Sequence, residues 1–338
     1  MKHGGNIYQF AAEQHCLPEE VIDFSANINP MQAVNWQDLQ SVNLGPYSDP
    51  GYQALKHAIK QRYLLSDGVD IEAFNGASAA IFALLRWLHP QDLVLYAPLY
   101  VEYGQIAEQL GCQIQIINRF DDHWANVPQG STIVFVNPAT PDGQLYNMSA
   151  LLAHWQAADC TLIVDESFLD FSQAESVSEH IVRNDKLYII KSLSKFYGCA
   201  GIRIGFVIAA SQAIQALKRL EPAWKLSSLD MAYMQLALSN QSFIAETRQQ
   251  TTSLRELLFK TLQTSGLFEH IYPGQANFLL TRLANLDGYR LQEQLAPSRI
   301  LIRVCDNFTG LDSRYVRFAV KDEAAIRHLG DCLSQINK

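Results

Sequence analysis

From about residue 70 the apolar residues fall in short runs, separated by stretches that are apolar on one side only. The runs at 70–74, 92–96, 113–117, 132–136, 161–164, 187–190 and 204–209 are rich in β-branched residues and read as strands. Between some of them the spacing becomes helical, as over 77–88 and 100–110. Apolar strands alternating with helices predict an α/β fold, with a mostly parallel sheet covered on both faces. Such sheets bind ligands beyond the carboxyl ends of their strands. The texture changes near residue 228. Residues 229–262 read as one long helix, straight or bent. A strand at 276–281, a helix at 289–295, strands at 299–304 and 315–320 and a helix from 322 follow, which is an α+β layer. Residues 1–30 are polar and rich in Asn and Gly, like an arm that packs late.

A length of 338 residues sets an expectation of about two domains. With 48% hydrophobic and 18% charged residues the chain can build a large core, which argues against disorder. A net charge of −8 without a basic stripe disfavours nucleic acid as a partner. Cysteines 16, 112, 160, 199, 305 and 332 lie far apart with no C-x-x-C pair, so reduced thiols are expected, with no disulfide and no metal site. The opening lacks the apolar core of a secretory signal. The most apolar stretch, 77–88, contains Arg86 and is too short to span a bilayer, so a cytoplasmic location is expected and no membrane partner.

The chemistry concentrates around Lys195. It sits in the hydroxyl-rich turn Ser192-Leu193-Ser194-Lys195, and Arg203 follows before an apolar, Gly-punctuated strand. Upstream, Asp165 ends an apolar strand, where a carboxylate is costly unless it is paired. An amine, a carboxylate and an arginine on an α/β scaffold suit an aldehyde cofactor bearing a phosphate and a protonatable ring nitrogen, that is, pyridoxal phosphate. Asp165 alone could also be a helix cap. Asn75-Gly76-Ala77-Ser78 joins a strand to a helix, and reads either as a phosphate cup or as an ordinary glycine turn capped by Ser78. Tyr100 alone is a core or rim residue, and Tyr47 a turn tyrosine. Arg303 and Arg317 lie on apolar strands and need anions, from a doubly anionic substrate or from Asp306 and Asp312.

The order Asp165, Ser192, Lys195, Arg203 resembles the fold-type I pyridoxal-phosphate enzymes of the class I/II aminotransferase group, over residues 3 to about 320. The opening His3-Gly4-Gly5-Asn6, the run 23–30 and the segment 301–317 resemble the threonine-phosphate decarboxylases of cobalamin synthesis, a branch close to the histidinol-phosphate aminotransferases. The resemblance implies a large cofactor domain, 30–228, and a smaller domain built from 1–29 and 229–338. It makes Lys195 the Schiff-base lysine and later proton carrier, its pKa lowered by two cationic or electrophilic neighbours. It makes Asp165 the partner of the ring nitrogen and Tyr100 the ring stacked on the pyridine. Gly76, Ala77, Ser78, Ser192 and Arg203 would hold the cofactor phosphate. Tyr47 would reach the phosphate of a neighbouring subunit, which implies a homodimer with a shared site. Arg317 would take the substrate carboxylate, and Arg303, with His3 and Asn6, the phosphate of a small phosphorylated amino acid; Asn27 joins this substrate set.

Two departures stand out. The family loop Asn-Pro-Asn-Asn-Pro-Thr-Gly reads Asn137-Pro138-Ala139-Thr140-Pro141-Asp142-Gly143, so the residue beside the ring's 3-oxygen is Thr140. The tyrosine that aminotransferases often place three residues after the aspartate is Phe168, as is usual in the decarboxylase branch. The implied reaction is decarboxylation of L-threonine O-3-phosphate to aminopropanol phosphate. The same residues support transamination if the Cα–H bond stands perpendicular to the ring. A cofactor-binding protein with little catalysis is the third reading.

Overall fold

A computed structural model describes residues 3–336. Met1, Lys2, Asn337 and Lys338, at the edges of the expected smaller domain, lie outside the described residues. The chain first forms a two-residue strand, β1 (Ile22–Asp23). It then builds one sheet from β2 (Val69–Asn75), β3 (Asp92–Ala97), β4 (Gln113–Asn118), β5 (Thr132–Val136), β6 (Thr161–Asp165), β7 (Leu187–Ser192) and β8 (Ile204–Ala210). Their order is β2-β8-β7-β6-β5-β3-β4, and β8 alone runs against the rest. The mostly parallel sheet is therefore present.

Both faces of this sheet are covered. Every residue of β5 and β7 is buried. Successive residues of β3 alternate between two cores: Val94 and Tyr96 join Phe135 and Trp155, while Leu93 and Leu95 join Ile81 and Leu84. Each fully buried side chain of this size contributes about 1.5–3 kcal/mol, so the sheet is a stiff platform for whatever its strand ends carry.

The remaining strands are β9 (Phe268–Ile271), β10 (Phe278–Leu283), β11 (Ile300–Leu301), β12 (Arg303–Val304) and β13 (Tyr315–Ala319). Four of them make an antiparallel sheet in the order β12-β13-β10-β9. A third core lies against it, combining Phe24 with Leu258, Leu279, Phe318 and Leu329. β1 pairs in parallel with β11, and Phe24 continues the join through Leu301 O (2.8 Å) and the Ala319 N–H (2.8 Å). The early arm is thus stitched to residues almost 300 positions away.

Three expectations need correction. Residues 229–262 are not one helix: Ser228–Ser239 and Gln241–Ser265 are broken at Asn240, whose side chain accepts from Phe243 N (3.1 Å) and donates to Ala33 O (3.2 Å). The first of these helices buries Met231, Met234 and Leu238 in a core beneath the seven-stranded sheet. Residues 299–304 are two strands in two sheets, because β11 joins β1 and β12 joins β13. The helix expected at 100–110 begins at Glu102, leaving Tyr100 in the preceding loop. The helix Gln53–Tyr63 and strand β9 had no counterpart in the sequence reading. No helix among the described residues is long and apolar enough to cross a membrane.

Candidate active site

A cavity of about 260 Å³ opens beyond the carboxyl ends of β5, β6 and β7, where Val136, Asp165 and Ser192 line it. Lys195 enters it from the helical turn Leu193–Phe196. That turn is held from below: Asn29 N donates to Lys195 O (3.0 Å) and Asn29 Nδ2 to Phe196 O (2.8 Å). Gly198 follows at φ +64°, so close to Met31 O that a Cβ would sit 1.9 Å from it. Among the described residues the Lys195 amine makes no hydrogen bond, and its Nζ stands 4.5 Å from the centre of the Phe168 ring. Its pKa is pulled from 10.5 down to about 8, first by burial. Asp165 opposes that shift, and Arg317 and Arg203 reinforce it. The cationic neighbours expected from the sequence are real, but desolvation is the larger cause.

Asp165 is aimed as well as present. Its Oδ2 accepts from the Tyr103 hydroxyl (3.0 Å) and its Oδ1 from Ser167 N (2.9 Å). Opposite it, the helix Gly76–Leu88 points its first turn at the cavity, where Ala77 and Ser78 line the wall. Gly76 lies just behind the lining at φ +80°. A Cβ there would stand 2.4 Å from Arg203 Nη2. One at Gly205 would stand 2.4 Å from Ala77 N. These two glycines let the helix start, β8 and Arg203 converge, which makes an anion cup. The Tyr100 hydroxyl lies 3.2 Å from Ser78 Oγ.

On the far wall Arg303 and Arg317 are directly paired across β12 and β13, and both reach the cavity. Arg317 donates to Thr140 Oγ1 (3.2 Å) and to Ser25 O (3.1 Å), while its buried Nε has no partner. Burial lowers its pKa to about 10, with Arg303 adding to the effect and Cys305 and Asp23 opposing it. Among the described residues no carboxylate lies within ion-pair distance of Arg317. Asp312 pairs with Arg314 (3.2 Å), and Asp306 accepts from the Tyr289 hydroxyl (2.6 Å). Arg303 donates to Val304 O (2.6 Å) and to Asn307 Oδ1. Asn27 lines the same wall with a buried, unpartnered Oδ1.

Two expected residues stand apart from this cavity. Asn6 does not line it; its Oδ1 caps the helix Ile7–Glu13 by accepting from Gln9 N (3.2 Å). Tyr47 is 81% exposed and stacks on Trp224, ring centres 4.9 Å apart. His3 does line the cavity, its Nε2 3.3 Å from Glu102 Oε1 and its ring beside Tyr100. The sequence reading missed Tyr103 and Asn29. Tyr103 lies three residues beyond Tyr100, within the helix the sequence predicted at 100–110, a spacing that could have suggested it; nothing local signals Asn29.

Unpartnered buried polar atoms on the arginine-bearing wall, a free amine and an anion cup suit a phosphate-bearing aldehyde cofactor with a second, anionic ligand. The sequence from 4 to 333 matches the family model described as aminotransferase class I and II. A threonine-phosphate decarboxylase of Salmonella typhimurium is 31% identical over 340 residues, covering 95% of this chain and 93% of that protein. The solved structure of a histidinol-phosphate aminotransferase from Clostridium acetobutylicum superposes with a TM-score of 0.82 at 27% identity, over 92% of this chain and 97% of that one. One from Sinorhizobium meliloti, solved in complex with pyridoxal-5'-phosphate, gives 0.83 at 17% identity, over 98% and 94%.

Proposed function

The chain belongs to the class I and II aminotransferase family, and from its site we propose that it is a pyridoxal-phosphate enzyme that decarboxylates L-threonine O-3-phosphate to aminopropanol phosphate for cobalamin synthesis. The observation that carries the substrate class is the cross-strand pair Arg303–Arg317 facing Lys195 in one cavity. Two guanidiniums suit a small molecule with two anionic ends. The 31% identity to a threonine-phosphate decarboxylase supports the reaction.

When bound, pyridoxal phosphate supplies a conjugated ring that takes up the electron pair of a bond broken at the substrate α-carbon. Ala77, Ser78, Ser192 and Arg203 would hold its phosphate, with Gly76 leaving room for Arg203. Asp165, aimed by Tyr103, would face its ring nitrogen, and Tyr100 its ring. Thr140 would donate to its 3-oxygen while accepting from Arg317. Lys195 would hold its aldehyde carbon, yield that position to the substrate amine, and carry a proton to the α-carbon. An amine with a pKa of about 8 exists in both forms near neutral pH, neutral to hold the aldehyde carbon and protonated to deliver a proton to the α-carbon. Arg317 would clamp the carboxylate and so set which bond at the α-carbon is broken. Arg303, with His3 nearby, takes the phosphate, and Asn27 offers an acceptor. Phe168 covers Lys195 with an apolar face and no hydroxyl. The same proposal assigns Tyr47 to the partner's cofactor phosphate in a homodimer, and groups 30–228 as the cofactor domain against 1–29 with 229–338.

The test supplies purified protein with pyridoxal phosphate and L-threonine O-3-phosphate and follows carbon dioxide and the cofactor spectrum together. Carbon dioxide release that Lys195→Ala abolishes is the expected result. No carbon dioxide, with conversion to pyridoxamine phosphate when histidinol phosphate or glutamate is offered, would move the protein to the aminotransferases.

A further inference from the structure

Arg119 follows the edge strand β4 and is 3% exposed. It does not line the cavity, yet its side chain spans three strand ends. Nη1 donates to Asp142 Oδ2 (2.9 Å) and to the Tyr146 hydroxyl (3.1 Å). Nη2 reaches Asp142 Oδ1 (2.5 Å), Pro98 O (3.1 Å) and Thr140 O (3.2 Å), and Nε also donates to Pro98 O (3.2 Å). Its backbone N–H donates to Ala97 O (2.9 Å). Because β5, β3 and β4 are neighbours in the sheet, this guanidinium ties the loop past β3 to the loop past β5. The first of those loops carries Tyr100, two residues after Pro98. The second carries Thr140, whose hydroxyl meets Arg317.

A buried ion pair of this kind is weak support for stability, because desolvating both charges offsets their attraction. What the planar fork of five donors does well is fix geometry. We propose that Arg119, held by Asp142, is a positioning residue that sets where Tyr100 and Thr140 stand against the bound cofactor. This rests on the reading that pyridoxal phosphate occupies the cavity.

Two variants test it. Arg119→Lys keeps a charge for Asp142 but cannot reach Pro98, Thr140 and Asp142 together. Arg119→Met with Asp142→Leu removes the pair without stranding a charge. Three measurements are made: pyridoxal phosphate titration, visible circular dichroism of the bound cofactor, and hydrogen exchange of peptides spanning 98–104 and 138–146. Both variants are expected to melt cooperatively, to exchange faster in those two segments but not in β6 or β7, and to bind the cofactor about tenfold more weakly, as lost preorganisation predicts. The dichroism should shrink with it. If the double variant does not fold, Arg119→Lys decides by the same criteria. Cofactor binding and dichroism unchanged in Arg119→Lys overturn the proposal, even if exchange is faster, because the pair is then structural only. A parent protein that takes up no pyridoxal phosphate overturns the functional reading and this one with it.

Discussion

Lys195 shows how a single side chain couples the fold to the chemistry. Its pKa is about 8 in the folded chain and 10.5 as the ordinary value. Below pH 8 both states hold the proton, and the enclosed charge costs the fold its full penalty. Between pH 8 and 10.5 the unfolded chain binds more protons, so stability rises with pH, and above 10.5 the penalty is gone. The size is at most about 3 kcal/mol, since the cavity lets water reach the amine. Without cofactor, Lys195→Met should therefore melt above the parent at pH 7, with the gap closing toward pH 10.5; a gap that ignores pH would contradict this. Tyr103→Phe removes one hydrogen bond to a buried carboxylate and should cost about 1–3 kcal/mol, seen as a lower melting temperature and weaker cofactor uptake. That Lys195, Asp165 and Arg203 would meet around one cavity was legible because each lies at or next to an apolar strand and the resemblance groups them. Arg119 was not legible, and Tyr103 only through its spacing from Tyr100. An aromatic on a helix and a cation after a strand are ordinary in sequence, and only packing between distant strands gives them partners.

Among the elements, β8 and the helix Gly76–Leu88 pack closely beside the cavity. Gly205→Ala would drive a Cβ against the backbone of Ala77, which cannot move without shifting the helix start. Gly76→Ala meets the far end of Arg203, a flexible side chain, although its φ of +80° adds strain. Gly205→Ala should thus lose more stability, about 2–4 kcal/mol against about 1–2, which denaturant melts of the two variants would rank. The order reversed would mean the helix start can slide. The strands of the large sheet were readable because burial on both faces leaves unbroken apolar runs. β9 was not, since all four of its residues are partly or wholly exposed. The break at Asn240 was hidden because an Asn between two amphipathic stretches looks like surface; its capping role depends on Phe243 and Ala33. The run 299–304 misled for a different reason: it is uniformly strand-like, and only the tertiary fold divides it between two sheets.

At the scale of the molecule, Tyr47 makes a prediction that no single chain can meet. Exposed beside Trp224, it has no cavity of its own to fill. If it completes a partner's site, inactive Tyr47→Ala and Lys195→Ala proteins, unfolded together and refolded as a mixture, should regain about a quarter of the parent's active sites, because half the dimers are hybrids with one whole site each. No recovery, with hybrids demonstrably formed, would remove Tyr47 from the shared site. The cavity also has a history in time. It is closed by His3 and Gly4 on one side and by Arg303 and Arg317 on the other, and Arg317 donates to Ser25 O across 292 positions. Contacts that long in sequence form late, since the loop they close is costly in entropy. On the ribosome, the seven-stranded sheet can assemble with Lys195 already on it, but the wall carrying Arg303 and Arg317 cannot exist until Arg317 has been made. On the proposed reading, a nascent chain stalled short of that point would hold the cofactor cup before it held the wall that takes a substrate.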